Sequence, residues 1–159
     1  SDSTRATNAC LADIANTRWA GTPSKRAVAV RCDSIEELLS QADFVSLHCR
    51  GGAETRHLIN AQRLALMKPT AHLINTARGD VVDSQALIDA LKAGTIRGAG
   101  LDVYENEPNL HPGFLELENV SLLPHLGSAT IATRTAMGEK VVTNLAAFFA
   151  GEAGPDRVV

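Results

Sequence analysis

Three polar side chains each stand at the exit of an apolar run, in NTARGDVVD (75–83), GLDVYENEP (100–108) and LLPHLGSAT (122–130). Arg78 follows His72-Leu73-Ile74 and precedes a glycine, an acid and a segment with helical spacing. A guanidinium there is either a solvated charge beside a turn or a group aimed at an anion, whose two oxygens its paired donors can grip. Glu107 directly precedes Pro108 in an acidic loop that also holds Glu105 and Asn106. It reads either as a solvated carboxylate or as a partner for a proton carrier. His125, after Pro124, is either a capping or buried histidine or a side chain that exchanges protons near neutral pH. Asp102 either caps a turn or faces a ligand.

The elements that must position these groups can be read from periodicity. Ala27 to Val30, Asp43 to Cys49, Ala71 to Thr76, Ile96 to Val103 and Val120 to Leu123 are short apolar runs bounded by turn residues. Between them lie amphipathic segments. Ser34-Ile35-Glu36-Glu37 is a capping box for a helix through about Gln41. Asn60 caps a short helix that ends before Pro69, and Asp83 opens one that closes at Gly94. Ser128 is expected to cap a long helix, with Val141, Val142, Leu145, Phe148 and Phe149 at helical spacing, ending near Gly151.

Alternation of this kind predicts an α/β fold: a partial Rossmann-type parallel sheet with flanking helices on both faces, ending in a long helix. Ligands of such sheets bind at the carboxyl ends of the strands. Arg78, Asp102, Glu107 and His125 all leave strands at that edge. The expected organisation is an irregular segment 1–26, a partial dinucleotide-binding domain 27–127, and a helix and tail 128–159.

Composition narrows the class. The 159 residues are 45% hydrophobic and 21% charged, with a formal net charge of −3. That balance suits one globular domain with a core, and gives no electrostatic reason to expect nucleic acid or an anionic membrane as partner. No run approaches the roughly 18 apolar residues that span a bilayer. The N-terminal residues lack the basic and apolar regions of a secretory leader. Cys10, Cys32 and Cys49 have no CxxC spacing and suit a reducing cytoplasm, and the five histidines show no ligand spacing with them, so no metal is expected.

Taken together and in order, the three motifs resemble those of the D-isomer-specific 2-hydroxyacid dehydrogenases, with DSIEELLSQADFVSLH and ETRHLIN adding to the match over about residues 27–150. The resemblance implies an oxidoreductase that moves a hydride between NAD or NADP and a small 2-oxo or D-2-hydroxy acid. It assigns Arg78 to the substrate carboxylate and carbonyl oxygen, His125 to the proton, and Glu107 to the imidazole. It places Asp102 toward the nicotinamide end of the cofactor. Thr76, Ala77, Arg78, His125, Gly127 and Ser128 would line the same pocket. The residue types fit that chemistry, because reduction builds negative charge on a carbonyl oxygen beside a carboxylate. Glu105 is the nearest competitor to Glu107, but does not directly precede Pro108. His48, His57, His72 and His111 read as structural or surface residues.

The stretch 107–120 resembles members acting on glyoxylate or hydroxypyruvate, and Glu107 stands where the related formate dehydrogenases carry Gln. Resemblance also implies a homodimer in the full-length protein. Two further readings stay open: a NAD-sensing regulatory module and an inactive remnant. The first follows from the resemblance, since some relatives work as NAD-sensing transcriptional corepressors while keeping the same three residues; the second arises because the GxGxxG phosphate cradle is absent, Gly51-Gly52 being too short and after the wrong strand. Asp13 could be the ribose-binding acid and Arg18 a 2′-phosphate ligand, while CRGGAE (49–54) departs from the family's proline-containing run. By itself the chain is therefore expected to bind cofactor weakly and not to turn over.

Overall fold

A computed structural model describes residues 32–158. The Ala27–Val30 strand, Asp13 and Arg18 lie outside the described residues. The described residues separate into two compact units that divide between Pro124 and His125.

In the first unit the helices begin where their caps dictate. Helix α1 (Ile35–Gln41) starts at Ser34, whose hydroxyl accepts from the Glu37 amide at 3.1 Å, while Glu37 reaches back to the Asp33 amide at 3.0 Å. Asn60 caps α2 (Ala61–Leu64) and Asp83 caps α3 (Ser84–Lys92) in the same manner. Gly94, at φ +68°, ends α3 in the left-handed conformation that glycine adopts without strain.

Strands β1 (Phe44–Leu47), β2 (His72–Asn75), β3 (Gly98–Leu101) and β4 (Val120–Leu122) form one sheet in the order β1-β2-β3-β4. Every neighbouring pair is parallel, so all four carboxyl ends share one edge. The register aligns Leu47, Asn75, Leu101 and Leu122 in one row at that edge. Leu73, Val45 and Leu101 pack in one buried cluster with Leu39 of α1, Leu64 of α2 and Leu87, Ile88 and Leu91 of α3. The side chains of the opposite sheet face, Phe44, Ser46, His72 and Ile74, remain half-buried or exposed, so the described residues supply one of the two expected covers.

The second unit holds α4 (Ile131–Phe149). Its cap is Thr130, whose hydroxyl accepts from the Thr133 amide at 3.2 Å, and not the expected Ser128. Ser128 is drawn into a preceding turn closed by the Ala129 amide on the Leu126 carbonyl at 3.0 Å, which delays the helix. None of the residues of α4 is buried. Among the described residues no helix is long and apolar enough to cross a membrane, and no group of three or more His, Cys, Asp or Glu side chains is arranged to hold a metal.

Candidate active site

Strand β2 ends in a buried polar residue, and that residue shapes the turn after the strand. Asn75 donates through Nδ2 to the Arg78 carbonyl at 2.9 Å and accepts the Ala77 amide on Oδ1 at 3.1 Å. A buried amide satisfied on both sides folds residues 76–78 into a tight turn. Ala77 faces inward, while Thr76 and Arg78 are exposed. The Arg78 stem lies against Gly51, where a Cβ would come within 2.9 Å of Cγ. Its Nη1 donates to the Ala77 carbonyl at 2.7 Å. Of the five guanidinium N–H donors, that bond occupies one.

The carboxyl ends of β1 and β2 enclose an open cleft of about 490 Å³. His48, Cys49, Arg50 and Gly51 form one wall, and Thr76, Ala77 and Arg78 the other. Three of the residues singled out in the sequence, the consecutive Thr76, Ala77 and Arg78, thus share one wall of the cleft. They sit at the edge where the parallel arrangement calls for a ligand.

The next turn ties this wall to the loop after β3. A Cβ on Gly79 would overlap the Tyr104 carbonyl, so only glycine lets the two backbones meet. Asp102, 6% exposed, donates its amide to the Asn75 carbonyl at 3.0 Å and extends the β2–β3 ladder past the strand ends. The Tyr104 hydroxyl lies 2.7 Å from the Leu123 carbonyl and 3.1 Å from that of Leu101, anchoring the loop to the ends of β4 and β3. Burial pushes this phenol above its ordinary range. The Leu123 bond pulls it back, and the charges of Asp102 and Glu107 add to the upward push.

Within the loop the two competing carboxylates part. Glu105, its side chain 19% exposed, turns inward, and His57 Nε2 lies 2.8 Å from its Oε1. Burial pushes its carboxyl up, but hydrogen bonds from His57 and Ser84 and the His57 charge outweigh that and hold it below the usual range. Asn106 takes φ +64°, and Glu107 stays exposed, accepting the Tyr104 amide on Oε1 at 2.8 Å.

His125, Gly127 and Ser128 belong to the second unit. His125 is exposed and adopts φ +55°, a conformation uncommon outside glycine and found disproportionately at functional sites. Gly127 and Ser128 lie in the turn that precedes α4.

Sequence reading missed Asn75, Gly79, Tyr104 and the His57–Glu105 pair. Asn75 and Gly79 left a signal, a polar residue closing an apolar run and a glycine behind the arginine. The pair spans 48 residues of sequence and left none.

The family described as "D-isomer specific 2-hydroxyacid dehydrogenase, NAD binding domain" matches residues 6–127. A glyoxylate reductase of Thermococcus onnurineus is 53% identical over 124 residues, 78% of this chain and 37% of that protein. The chain thus spans little more than a third of that relative's length. An NADPH-dependent glyoxylate/hydroxypyruvate reductase from Sinorhizobium meliloti, solved with NADP and malonate, superposes with a TM-score of 0.73 at 43% identity, over 80% of this chain and 40% of that one. The D-mandelate dehydrogenase of Rhodotorula graminis gives 0.68 at 38%, over 81% of this chain and 39% of that one. With a family match over most of its length and a parallel sheet of the same kind, the chain belongs to the D-isomer-specific 2-hydroxyacid dehydrogenases.

Proposed function

We propose that the chain carries the chemical half of a NAD- or NADP-dependent reductase of a small 2-oxo acid, glyoxylate or hydroxypyruvate, acting as a homodimer in the full-length protein. The observation that carries this is the Asn75-shaped turn, which holds Arg78 on the wall of the cleft at the carboxyl edge of the sheet. The names of the glyoxylate reductase relatives support the choice of substrate.

The nicotinamide would supply the hydride. Arg78 would grip the substrate carboxylate and polarise the carbonyl oxygen through the donors that Ala77 leaves available. His125 would give a proton to that oxygen as charge builds on it, and take it back in the reverse direction. An imidazolium in this role asks for a carboxylate at its other nitrogen, and Glu107 is assigned to it by the family resemblance. Asp102, at the seam of β2 and β3, is assigned to the nicotinamide end of the cofactor. Thr76 and Ala77 would line the cleft on the Arg78 side, with Gly127 and Ser128 assigned to the same pocket.

The test is oxidation of NADH and of NADPH by the native polypeptide that contains this sequence, with glyoxylate and then hydroxypyruvate. Turnover with at least one pair is expected, and His125→Gln should lower kcat by about 10²–10⁴-fold. Tight cofactor binding without turnover of either acid would replace the enzyme reading with the sensor.

A further inference from the structure

We propose that His57 and Glu105 are a positioning pair: the imidazole of the segment after β1 sets the conformation of the loop that presents Glu107, and references that loop to the turn bearing Arg78. The proposal rests on the reading of Glu107 as the carboxylate of the reaction.

The segment that carries His57 is fixed before its side chain is considered. Thr55 donates its hydroxyl to the Arg50 carbonyl at 2.7 Å. The His57 amide donates to the Asp80 carbonyl at 2.8 Å, and the Ile59 amide to Val81 at 3.0 Å. The Asp83 amide returns to the Ile59 carbonyl at 2.9 Å. Residues 57–59 are therefore stitched to the stretch that begins two residues after Arg78. His57 holds φ +49°, so its backbone is in a strained region that surrounding bonds must maintain.

From that fixed base the ring reaches the other loop. Nε2 meets Glu105 Oε1 at 2.8 Å, and Nδ1 lies 3.8 Å from Oδ2 of Asp83, the cap of α3. Arg56 Nη2 stands 3.7 Å from the same Glu105 oxygen. Glu105 is thus held from three sides, by His57, Arg56 and Ser84. Its neighbour Asn106 reverses the backbone at φ +64°, and Glu107 comes next, returning to the Tyr104 amide. Freeing Glu105 releases the inner side of a short loop whose outer side carries the reacting carboxylate. Neither His57 nor Glu105 lines the cleft, so both act through Glu107 and not on substrate.

The experiment has two arms on His57→Ala, His57→Gln and Glu105→Gln. In the first, amide resonances of the full chain are followed by NMR. His57→Ala and Glu105→Gln should shift the Tyr104 amide that donates to Glu107, and His57→Gln, which keeps an N–H donor, should return it toward the wild-type position. In the second, kinetics of the native polypeptide with glyoxylate should show kcat lowered about tenfold in His57→Ala, with KM changed less than twofold and partial rescue by Gln. A Tyr104 amide unmoved in both His57→Ala and Glu105→Gln overturns the proposal. So does a shifted amide with kcat unchanged. A wild-type protein without turnover defeats the proposed function, whereas the first arm still decides whether the pair positions the loop.

Discussion

Helix α4 is the more apolar in sequence of the two regions, yet it and the sheet unit solve burial in opposite ways. Strand β2 carries Leu73 at 0% exposure, and α3 buries Leu87, Ile88 and Leu91. Helix α4 is twice as long as α3 and buries nothing: Val142 is 66% exposed, Phe148 71% and Phe149 81%. Within its own unit, α4 is held by local devices. Thr130 caps its start, and Asp156 returns to its surface, bonded to Lys140 Nζ at 2.6 Å and Asn144 Nδ2 at 2.9 Å. Periodicity specifies which face of a helix is apolar, not what covers it. Most helical stability in proteins comes from that cover.

The largest effect is expected at Gly79. Gly79→Ala should prevent a stable fold or cost more than about 4 kcal/mol, because the added methyl meets the Tyr104 backbone and not a movable side chain. Thermal unfolding checks it; a melting temperature within a few degrees of wild type would show that the two loops can part cheaply. Leu73→Ala should cost about 2–5 kcal/mol by urea titration, the range for a fully buried leucine.

A smaller effect is expected from acid. The folded-state pKa of Glu105 is depressed, so its bond to His57 contributes stability at pH above the ordinary carboxylate value of 4.5 and loses it as pH falls through the lowered folded value. Urea midpoints from about pH 6 down to pH 3 should therefore fall less in Glu105→Gln than in wild type. Parallel curves would remove Glu105 from the acid response. The smallest effect belongs to α4, where Val142→Ala should stay within about 0.5 kcal/mol of wild type. A cost approaching that of Leu73→Ala would mean that this face is covered in solution and that the contrast between the two regions is false.

Legibility in the sequence divides along the same line. Caps at Ser34, Asn60 and Asp83 and the parallel arrangement are legible, because they depend on spacing within a few residues. The cap expected at Ser128 fails, since a turn closed by Ala129 on Leu126 competes with helix initiation and only backbone geometry reveals it. Arg78 is conspicuous as a charge behind an apolar run. The groups that aim it show only as residue types, because Asn75 acts through two bonds invisible to periodicity, and Gly79 through a contact with Tyr104, far along the chain. Glu105 and Glu107 are distinguishable in sequence only by their place before proline. Geometry separates them by direction, one inward to His57 and one exposed.

Whether Arg78 clamps the substrate is decided by steady-state reduction of glyoxylate by the native polypeptide, wild type against Arg78→Ala, with NADH and with NADPH. Arg78→Ala is predicted to lower kcat/KM by about 10²-fold or more, since a bidentate charged clamp on the reacting acid is lost. Equal kcat/KM in the two proteins would show that Arg78 is a turn charge, and that the cleft between β1 and β2 is not where the acid is reduced.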